Sequence, residues 1–256
     1  MSILKEFNKE KLTVKVSDTR EAMGALAAEE IGKKIVELQQ EKEEINIIFA
    51  AAPSQNEVLE NLIKNPDIDW TKINGFHMDE YIGLPSEAPQ LFSNFLRERL
   101  FDRVPFRAVY YINGGAADIE SECERYTKLL KEHPVDMVCL GIGENGHIAF
   151  NDPGVAKFDD AKVIKRAKLD EVCRQQQVND GCFGQLSEVP TEALTLTIPT
   201  LMGGGYLFCS VPAKTKAKAV CAMVNGAVTE MCPASILRTH DSAVLYCDKD
   251  SGSGIL

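Results

Sequence analysis

Along this chain, short apolar runs with a period of two alternate with longer stretches in which apolar residues recur every three or four positions. Leu12-Thr13-Val14-Lys15-Val16 alternates apolar with polar and predicts a half-buried strand at a sheet edge. Asp18 followed by Glu21 is a capping-box pattern. Met23, Ala27, Ile31, Ile35 and Leu38 then repeat at helical spacing, which predicts an amphipathic helix to about residue 40. The run Ile45-Asn46-Ile47-Ile48-Phe49-Ala50 is β-rich and nearly all apolar, as a central parallel strand requires. After Ala51-Ala52-Pro53, residues 54–57 (SQNE) open a second helix carrying Val58, Leu59, Leu62 and Ile63.

The alternation continues. Residues 70–81 (WTKINGFHMDEY) predict a third strand running into Asp79-Glu80, and residues 91–104 a helix. Val109-Tyr110-Tyr111 is a short strand, Ile119, Cys123, Tyr126 and Leu130 mark a further helix, and residues 137–140 another buried strand. Beyond Pro153 the pattern weakens: residues 158–188 are polar, Gln-rich and poorly periodic, the profile of a mobile cover. Regularity returns at residues 193–198 and 206–211, with a helix over about 214–224 and a last strand at 243–247. Strands alternating with helices imply βαβ units and a parallel sheet covered on both faces. The expectation is therefore one α/β domain over residues 1–256, doubly wound in three layers, with a mostly parallel, Rossmann-like sheet and an inserted flap at about 155–188.

Composition narrows the partners. The 256 residues carry a formal net charge of −10 and no Lys/Arg-rich run, which disfavours nucleic acid, because phosphate-backbone binding depends on clustered positive charge. The opening MSILKEFNKEKL has no apolar signal core, and no apolar run reaches membrane-spanning length, so neither secretion nor a membrane is expected. The eight cysteines include no CxxC pair and no Cys/His cluster with zinc spacing. They read as reduced, mostly core thiols in the cytoplasm, with none placed as a nucleophile.

The candidate chemistry lies at two strand ends. Residues 138–153, VCLGIGENGHIAFNDP, run from a buried strand through a Gly141-Ile142-Gly143 turn to Asn145, His147 and Asp152. In open α/β sheets, ligands bind beyond the carboxyl ends of the strands. Asp152 is placed to accept a proton from one nitrogen of His147, which fixes the ring's tautomer and raises its basicity. Asp79 supplies a carboxylate at the other strand end. A carboxylate base and an oriented histidine on separate strands can move protons at two places on one substrate, as sugar isomerisation demands. His77 points to the opposite face and is structural. Ser54, Gln55 and Asn56 form a candidate anion site, with backbone N–H groups at a helix start. Ser54 with Glu57 reads equally as a plain capping box. Lys214, Lys216 and Lys218 crowd the start of a later helix.

Taken together, these residues resemble the glucosamine-6-phosphate deaminase (isomerase) family, which has the 6-phosphogluconolactonases as distant cousins. The resemblance runs from about residue 49 to 248 and is strongest in MDEYIGLP (78–85) and in residues 141–153. It implies that Asp79 is the proton-abstracting base and His147 the ring-opening histidine. Asp152 stands where a glutamate usually supports that histidine, Asn145 where some members have aspartate, and Lys216 at a phosphate-binding lysine. Ser54, Gln55 and Asn56 lie where the family has a Gly/Thr-rich phosphate loop. Three departures stand out: AAAPSQNE has no glycine, the supporting glutamate is shortened to Asp152, and Arg174 is a weak substitute for the family's phosphate arginine. By the same resemblance the substrate is a small phosphosugar, no metal or organic cofactor is needed, and the chain forms a homo-oligomer. Two alternatives stay open. One is a 6-phosphogluconolactonase-type hydrolase, touched on by Ser93-Asn94 but opposed by Tyr81 after Glu80. The other is a non-catalytic sugar-phosphate sensor, opposed by the 11 residues before the first strand, too few for a DNA-binding helix-turn-helix.

Overall fold

A computed structural model describes residues 3–256. In chain order its regular elements are β1 (Ile3–Lys9), β2 (Leu12–Ser17), α1 (Arg20–Glu41), β3 (Ile45–Phe49), α2 (Asn56–Leu62), β4 (Ile73–His77), β5 (Asp79–Tyr81), α3 (Phe92–Leu96), β6 (Ala108–Tyr110), α4 (Ile119–Glu132) and β7 (Met137–Leu140). There follow β8 (Ile164–Lys168), α5 (Glu171–Asn179), β9 (Glu192–Leu196), α6 (Ile198–Met202), β10 (Tyr206–Val211), α7 (Ala217–Asn225) and β11 (Ala243–Asp248).

Eight strands form one sheet in the order β1-β2-β11-β10-β7-β3-β4-β6, parallel throughout except for the antiparallel β1–β2 pair. Side chains alternate between its faces because successive Cβ atoms of a strand point to opposite sides. Ile47, Phe49, Met137, Cys139, Phe208 and Tyr246 pack with Met23, Ile31 and Ile35 of α1 and Val58 and Leu59 of α2. Ile48, Val138, Leu140, Leu207, Cys209 and Leu245 pack on the other side with Tyr126 of α4 and Val220 and Met223 of α7. The result is the expected three-layer α/β arrangement. Burying each large apolar side chain contributes about 1.5–3 kcal/mol.

The strand order has a reversal. From β3 the chain moves outward through β4 to β6. It then returns to the other side of β3 as β7 and proceeds outward again through β10 to β11. The carboxyl ends of β3 and β7 therefore diverge into a crevice, the position where open α/β sheets bind ligands.

Several elements differ from the sequence reading. β2 is not the edge strand, because β1 pairs outside it. The cap of α1 is Thr19, whose side chain accepts the Ala22 N–H at 3.1 Å, one residue later than the Asp18–Glu21 pattern suggests. Residues 70–81 are not one strand: the chain leaves the main sheet after His77, and Asp79–Tyr81 pair with β9 in a separate antiparallel sheet, β5-β9-β8. The 91–104 helix is α3 followed by one wide π-type turn, Arg97–Phe101. The stretch read as a poorly periodic flap carries β8 and α5, both tied to the second sheet or to the loop before β9.

Candidate active site

Above the crevice lies a cavity of about 600 Å³. The loop after β3 (residues 50–55), the turn after β7 (Gly141–Gly143), the turn after β10 (Pro212, Ala213, Thr215, Lys216) and Met78-Asp79 after β4 all line it. Gln176, Gln177 and Asp180 of α5 and its C-terminus close it from above. Of the residues singled out from sequence, Asp79, His147, Ser54, Gln55 and Lys216 reach this one cavity. Asn145 and Asp152 lie behind His147. Asn56 does not line the cavity; it begins α2, and its Oδ1 accepts from Arg99 Nε at 3.0 Å.

The histidine is held by its loop. Gly143 N–H donates to the His147 carbonyl at 2.9 Å, and Gly146 N–H donates to the Gly143 carbonyl at 3.0 Å with φ +85°, a backbone state that favours glycine. The imidazole lies against Gly143, where a Cβ would fall 2.1 Å from the ring. Any side chain there would push the ring out. His147 Nδ1 is 2.8 Å from Asn145 Oδ1 and 3.0 Å from Asp152 Oδ1, while Asn145 Nδ2 donates to the same Asp152 oxygen at 3.0 Å. Two acceptors at Nδ1 place the proton there, so Nε2 carries the lone pair. Burial alone would raise the Asp152 carboxyl, but the hydrogen bond and charge of His147, with Asn145, outweigh it and hold it below the ordinary carboxylate range. Asp152 is fully buried, and its second oxygen, Oδ2, makes no hydrogen bond of ordinary length among the described residues.

Asp79 is held from below. His77 Nε2 accepts the Ile112 N–H at 2.9 Å, which leaves Nδ1–H to donate to the Asp79 carbonyl at 2.9 Å. Burial, partly offset by that carbonyl, lowers His77 to about 4, so it stays neutral at physiological pH. This is the structural role the alternation assigned to it. The Asp79 side chain is 8% exposed, makes no hydrogen bond to another described residue, and faces the cavity. Burial first, and the neighbouring Glu80 second, push its carboxyl well above the usual range. Glu80 itself caps α3, accepting from the amides of Phe92 at 3.0 Å and Ser93 at 2.9 Å.

Strand β9 joins the two halves. Thr195 pairs with Asp79, and its Oγ1 accepts the Phe150 N–H at 3.0 Å; Asn151 Nδ2 donates to the Leu196 carbonyl at 2.8 Å. One strand thus sets both the carboxylate and the loop that follows the histidine.

His77→Leu tests the support under Asp79. It leaves the Ile112 N–H and the Asp79 carbonyl without partners, at about 1–3 kcal/mol each. The expected loss of unfolding free energy, read by urea denaturation, is about 2–5 kcal/mol. Because the folded His77 pKa lies below the unfolded value of about 6.5, its contribution is present above 6.5 and is lost as pH falls through about 4. An unchanged denaturation midpoint in the variant would remove His77 from this role.

The far end of the cavity is where a charged substrate group fits. Gln55 Nε2 donates to Ser54 Oγ at 3.1 Å and to the Ser210 carbonyl at 3.2 Å. The capping-box alternative for Ser54 is not realised: no side chain caps α2, and Glu57 instead pairs with Arg20, Nε to Oε1, at 2.7 Å. Three cationic side chains line the cavity. Arg20 is held by Glu57 and the Pro53 carbonyl, and Arg99 by Glu98 and Asn56. Lys216 is 5% exposed and has no ion pair or hydrogen bond through its ammonium among the described residues. Burial lowers its pKa, with Asp180 and Glu144 pulling the other way. The turn carrying it is anchored at Ala213, which holds φ +81°, an uncommon state for a non-glycine residue, with its N–H donating to Asp248 Oδ2 at 2.9 Å. Arg174 is not in the cavity; its guanidinium donates to the carbonyls of Leu186 at 2.7 Å and Val189 at 2.9 Å.

Arg20, Arg99, Gln176, Gln177, Asp180 and Thr215 were not among the residues picked from sequence. Arg20 and Thr215 carried a signal, since each follows the carboxyl end of a parallel strand.

Comparisons with known proteins bear on the family and the fold. A family model described as glucosamine-6-phosphate isomerases/6-phosphogluconolactonase matches residues 18–246. A glucosamine-6-phosphate deaminase of Streptococcus suis is 38% identical over 195 residues, 76% of this chain and 81% of the relative. The Streptococcus sanguinis enzyme of the same name is 36% identical over 222 residues, 86% of this chain and 92% of the relative. Among solved structures, a monomeric glucosamine-6-phosphate deaminase superposes with a TM-score of 0.84 at 28% identity, covering 95% of this chain and 99% of that one. The 6-phosphogluconolactonase of Thermotoga maritima shares the fold, with a TM-score of 0.76 at 21% identity over 93% of this chain and 100% of its own.

Proposed function

Because the chain belongs to the glucosamine-6-phosphate isomerase/6-phosphogluconolactonase family, we propose that it is an enzyme converting a 2-amino-2-deoxyhexose 6-phosphate and water into the ketose 6-phosphate and ammonia. Glucosamine 6-phosphate is the first substrate and its galactosamine epimer the second. The observation that carries this reading is that Asp79 and His147, set by different strands, line a single cavity.

His147 Nε2 accepts the proton of the ring hydroxyl at C1, and the resulting imidazolium is balanced by Asp152 and returns the proton to the ring oxygen. This opens the sugar to its aldehyde. Asp79, as the carboxylate, removes the proton from C2, giving an enolamine, and delivers it to C1. The product is the imine of the ketose, and water at C2 releases ammonia. Asp79 suits this task because its dry environment raises its proton affinity, and a base is most effective when its pKa approaches the working pH. Asn145 and Asp152 keep the histidine in the reactive tautomer.

Lys216 holds the phosphate, assisted by Ser54, Gln55 and Thr215. Its ammonium makes no hydrogen bond or ion pair among the described residues, whereas Arg20 and Arg99 are each paired with a glutamate, and an anion would offset its buried charge. The family's glycine loop is replaced by side-chain donors. The eight thiols, all unpaired, suit a reducing cytoplasm, and no helix among the described residues is long and apolar enough to cross a membrane. Homo-oligomeric assembly goes with the same reading.

The test is a substrate panel: glucosamine 6-phosphate, galactosamine 6-phosphate and 6-phosphogluconolactone, each followed for ammonia, ketose and acid release. Ammonia and ketose in equal amounts from a hexosamine phosphate are expected. Acid from the lactone without ammonia would replace this function with the hydrolase one. Thermal stabilisation by a sugar phosphate without any product would leave a sensor.

A further inference from the structure

Behind His147, on the side away from the cavity, three side chains of metal-ligand type converge from sequence-distant positions. A nitrogen of His147, a carboxylate oxygen of Asp152 and the Cys173 thiol lie within 4.8 Å of one another, and all three residues are buried. Cys173 is 1% exposed and does not line the cavity. It is placed by the first turn of α5, where its amide donates to the Asp170 side chain at 2.6 Å. A second observation bears on the same point: Asp152 Oδ2 is buried and makes no hydrogen bond of ordinary length among the described residues, beyond the carboxylate's looser contacts with the Cys173 thiol and the Asp170 amide. An incoming cation would satisfy it.

We propose that His147, Asp152 and Cys173 form a binding site for a thiophilic divalent cation of the zinc type, and that its occupancy switches the enzyme off. The donor set argues for the class of ion: one sulfur, one imidazole nitrogen and one carboxylate oxygen suit zinc or cobalt, whereas magnesium and calcium take oxygen ligands. Tetrahedral zinc with bonds of about 2.0–2.3 Å puts its ligand atoms about 3.3–3.8 Å apart. His147 and Asp152 are already 3.0 Å apart. The thiol therefore needs to close by only about 1 Å, and the fourth position is left for water.

The proton balance explains the inhibition. The thiol loses its proton to solvent as the sulfur binds, although burial holds it protonated in the free protein. The ion replaces the proton on Nδ1, and that proton reappears on Nε2. The complex of a doubly charged cation, a thiolate, a carboxylate and a neutral imidazole is electrically neutral, with one proton released. Nε2, now an N–H, can no longer accept a proton from the sugar. Cation binding itself does not depend on the proposed reaction; only the inhibitory consequence rests on His147 acting as a base.

The experiment uses the full chain, stripped of metal and without substrate, titrated with Co²⁺ and then with Zn²⁺. A near-ultraviolet thiolate-to-cobalt charge-transfer band, saturating at one ion per chain, is expected in the parent and absent in Cys173→Ser and Cys173→Ala. In the assay, saturating Zn²⁺ should lower kcat about 10²-fold or more in the parent, and change the two variants, whose metal-free activity stays near the parent's, by much less. No band, or a band that survives both substitutions, overturns the site. A band with undiminished turnover overturns the inhibition alone. If no hexosamine phosphate is a substrate, the cobalt spectrum still decides the site by itself.

Discussion

Asp79→Asn lowers kcat for hexosamine phosphate turnover by about 10²–10⁴-fold, with KM within a few-fold of the parent. The amide has the carboxylate's shape and is equally buried, but it cannot take the C2 proton. The parent's kcat/KM falls on acidification with an apparent pKa above the ordinary aspartate value of about 4, because burial and Glu80 favour the protonated form of Asp79. Stability should move the opposite way. A carboxyl raised in the folded state destabilises the fold as pH rises from the unfolded value through the folded one. Asp79→Asn should therefore melt at a higher temperature than the parent at neutral pH and lose that advantage near pH 4, about the unfolded value. Ammonia release at the parental rate would remove Asp79 from the role of base. A lower melting temperature at neutral pH would contradict its electrostatic setting.

His147→Asn is the second large effect, with kcat again lower by about 10²–10⁴-fold. Its residual activity should exceed that of Asp79→Asn, because sugars open spontaneously and supply some aldehyde without help, whereas in the proposed reaction loss of the C2 proton depends on Asp79. Single-turnover measurements that rank the two variants in the reverse order would assign ring opening and proton abstraction the other way round.

Much of this was legible from the chain, and the failures have physical reasons. β3, β7 and β10 were readable because strands buried on both faces are short, continuous apolar runs. α5 was missed because Gln176 and Gln177 turn amides toward the cavity, so the helix lacks an apolar stripe. The polarity that hid the helix is what makes it a wall of the site. β8 (IKRAK) and β1 (ILKEFNK) each present charged residues to solvent, which masks their period of two.

At the candidate site, Asp79, His147 and Lys216 were readable because each lies just past a strand end or a turn of unusual backbone. The break at Met78 was not readable, since the chain changes sheets without changing its hydrophobicity. Nor was the grouping of Cys173 with His147 and Asp152: spacing rules see ligands on one element, and these come from a loop and a helix on either side of β8. Arg174 misled in the opposite sense, being a cation spent on two backbone carbonyls.

The bridging by β9 separates two kinds of change that this scaffold can absorb. In the proposed reaction, proton handling is gauged by one short ribbon that pairs with Asp79 and holds the loop following His147, whereas the proposed anchor for the far end of the sugar hangs from turns after β3 and β10. Sugars of different length or stereochemistry can then be accommodated by redrawing those turns while the chemical step keeps its calibration. A swap of residues 50–56 for a glycine-rich turn should accordingly alter which phosphosugar is preferred without disturbing the reaction it undergoes.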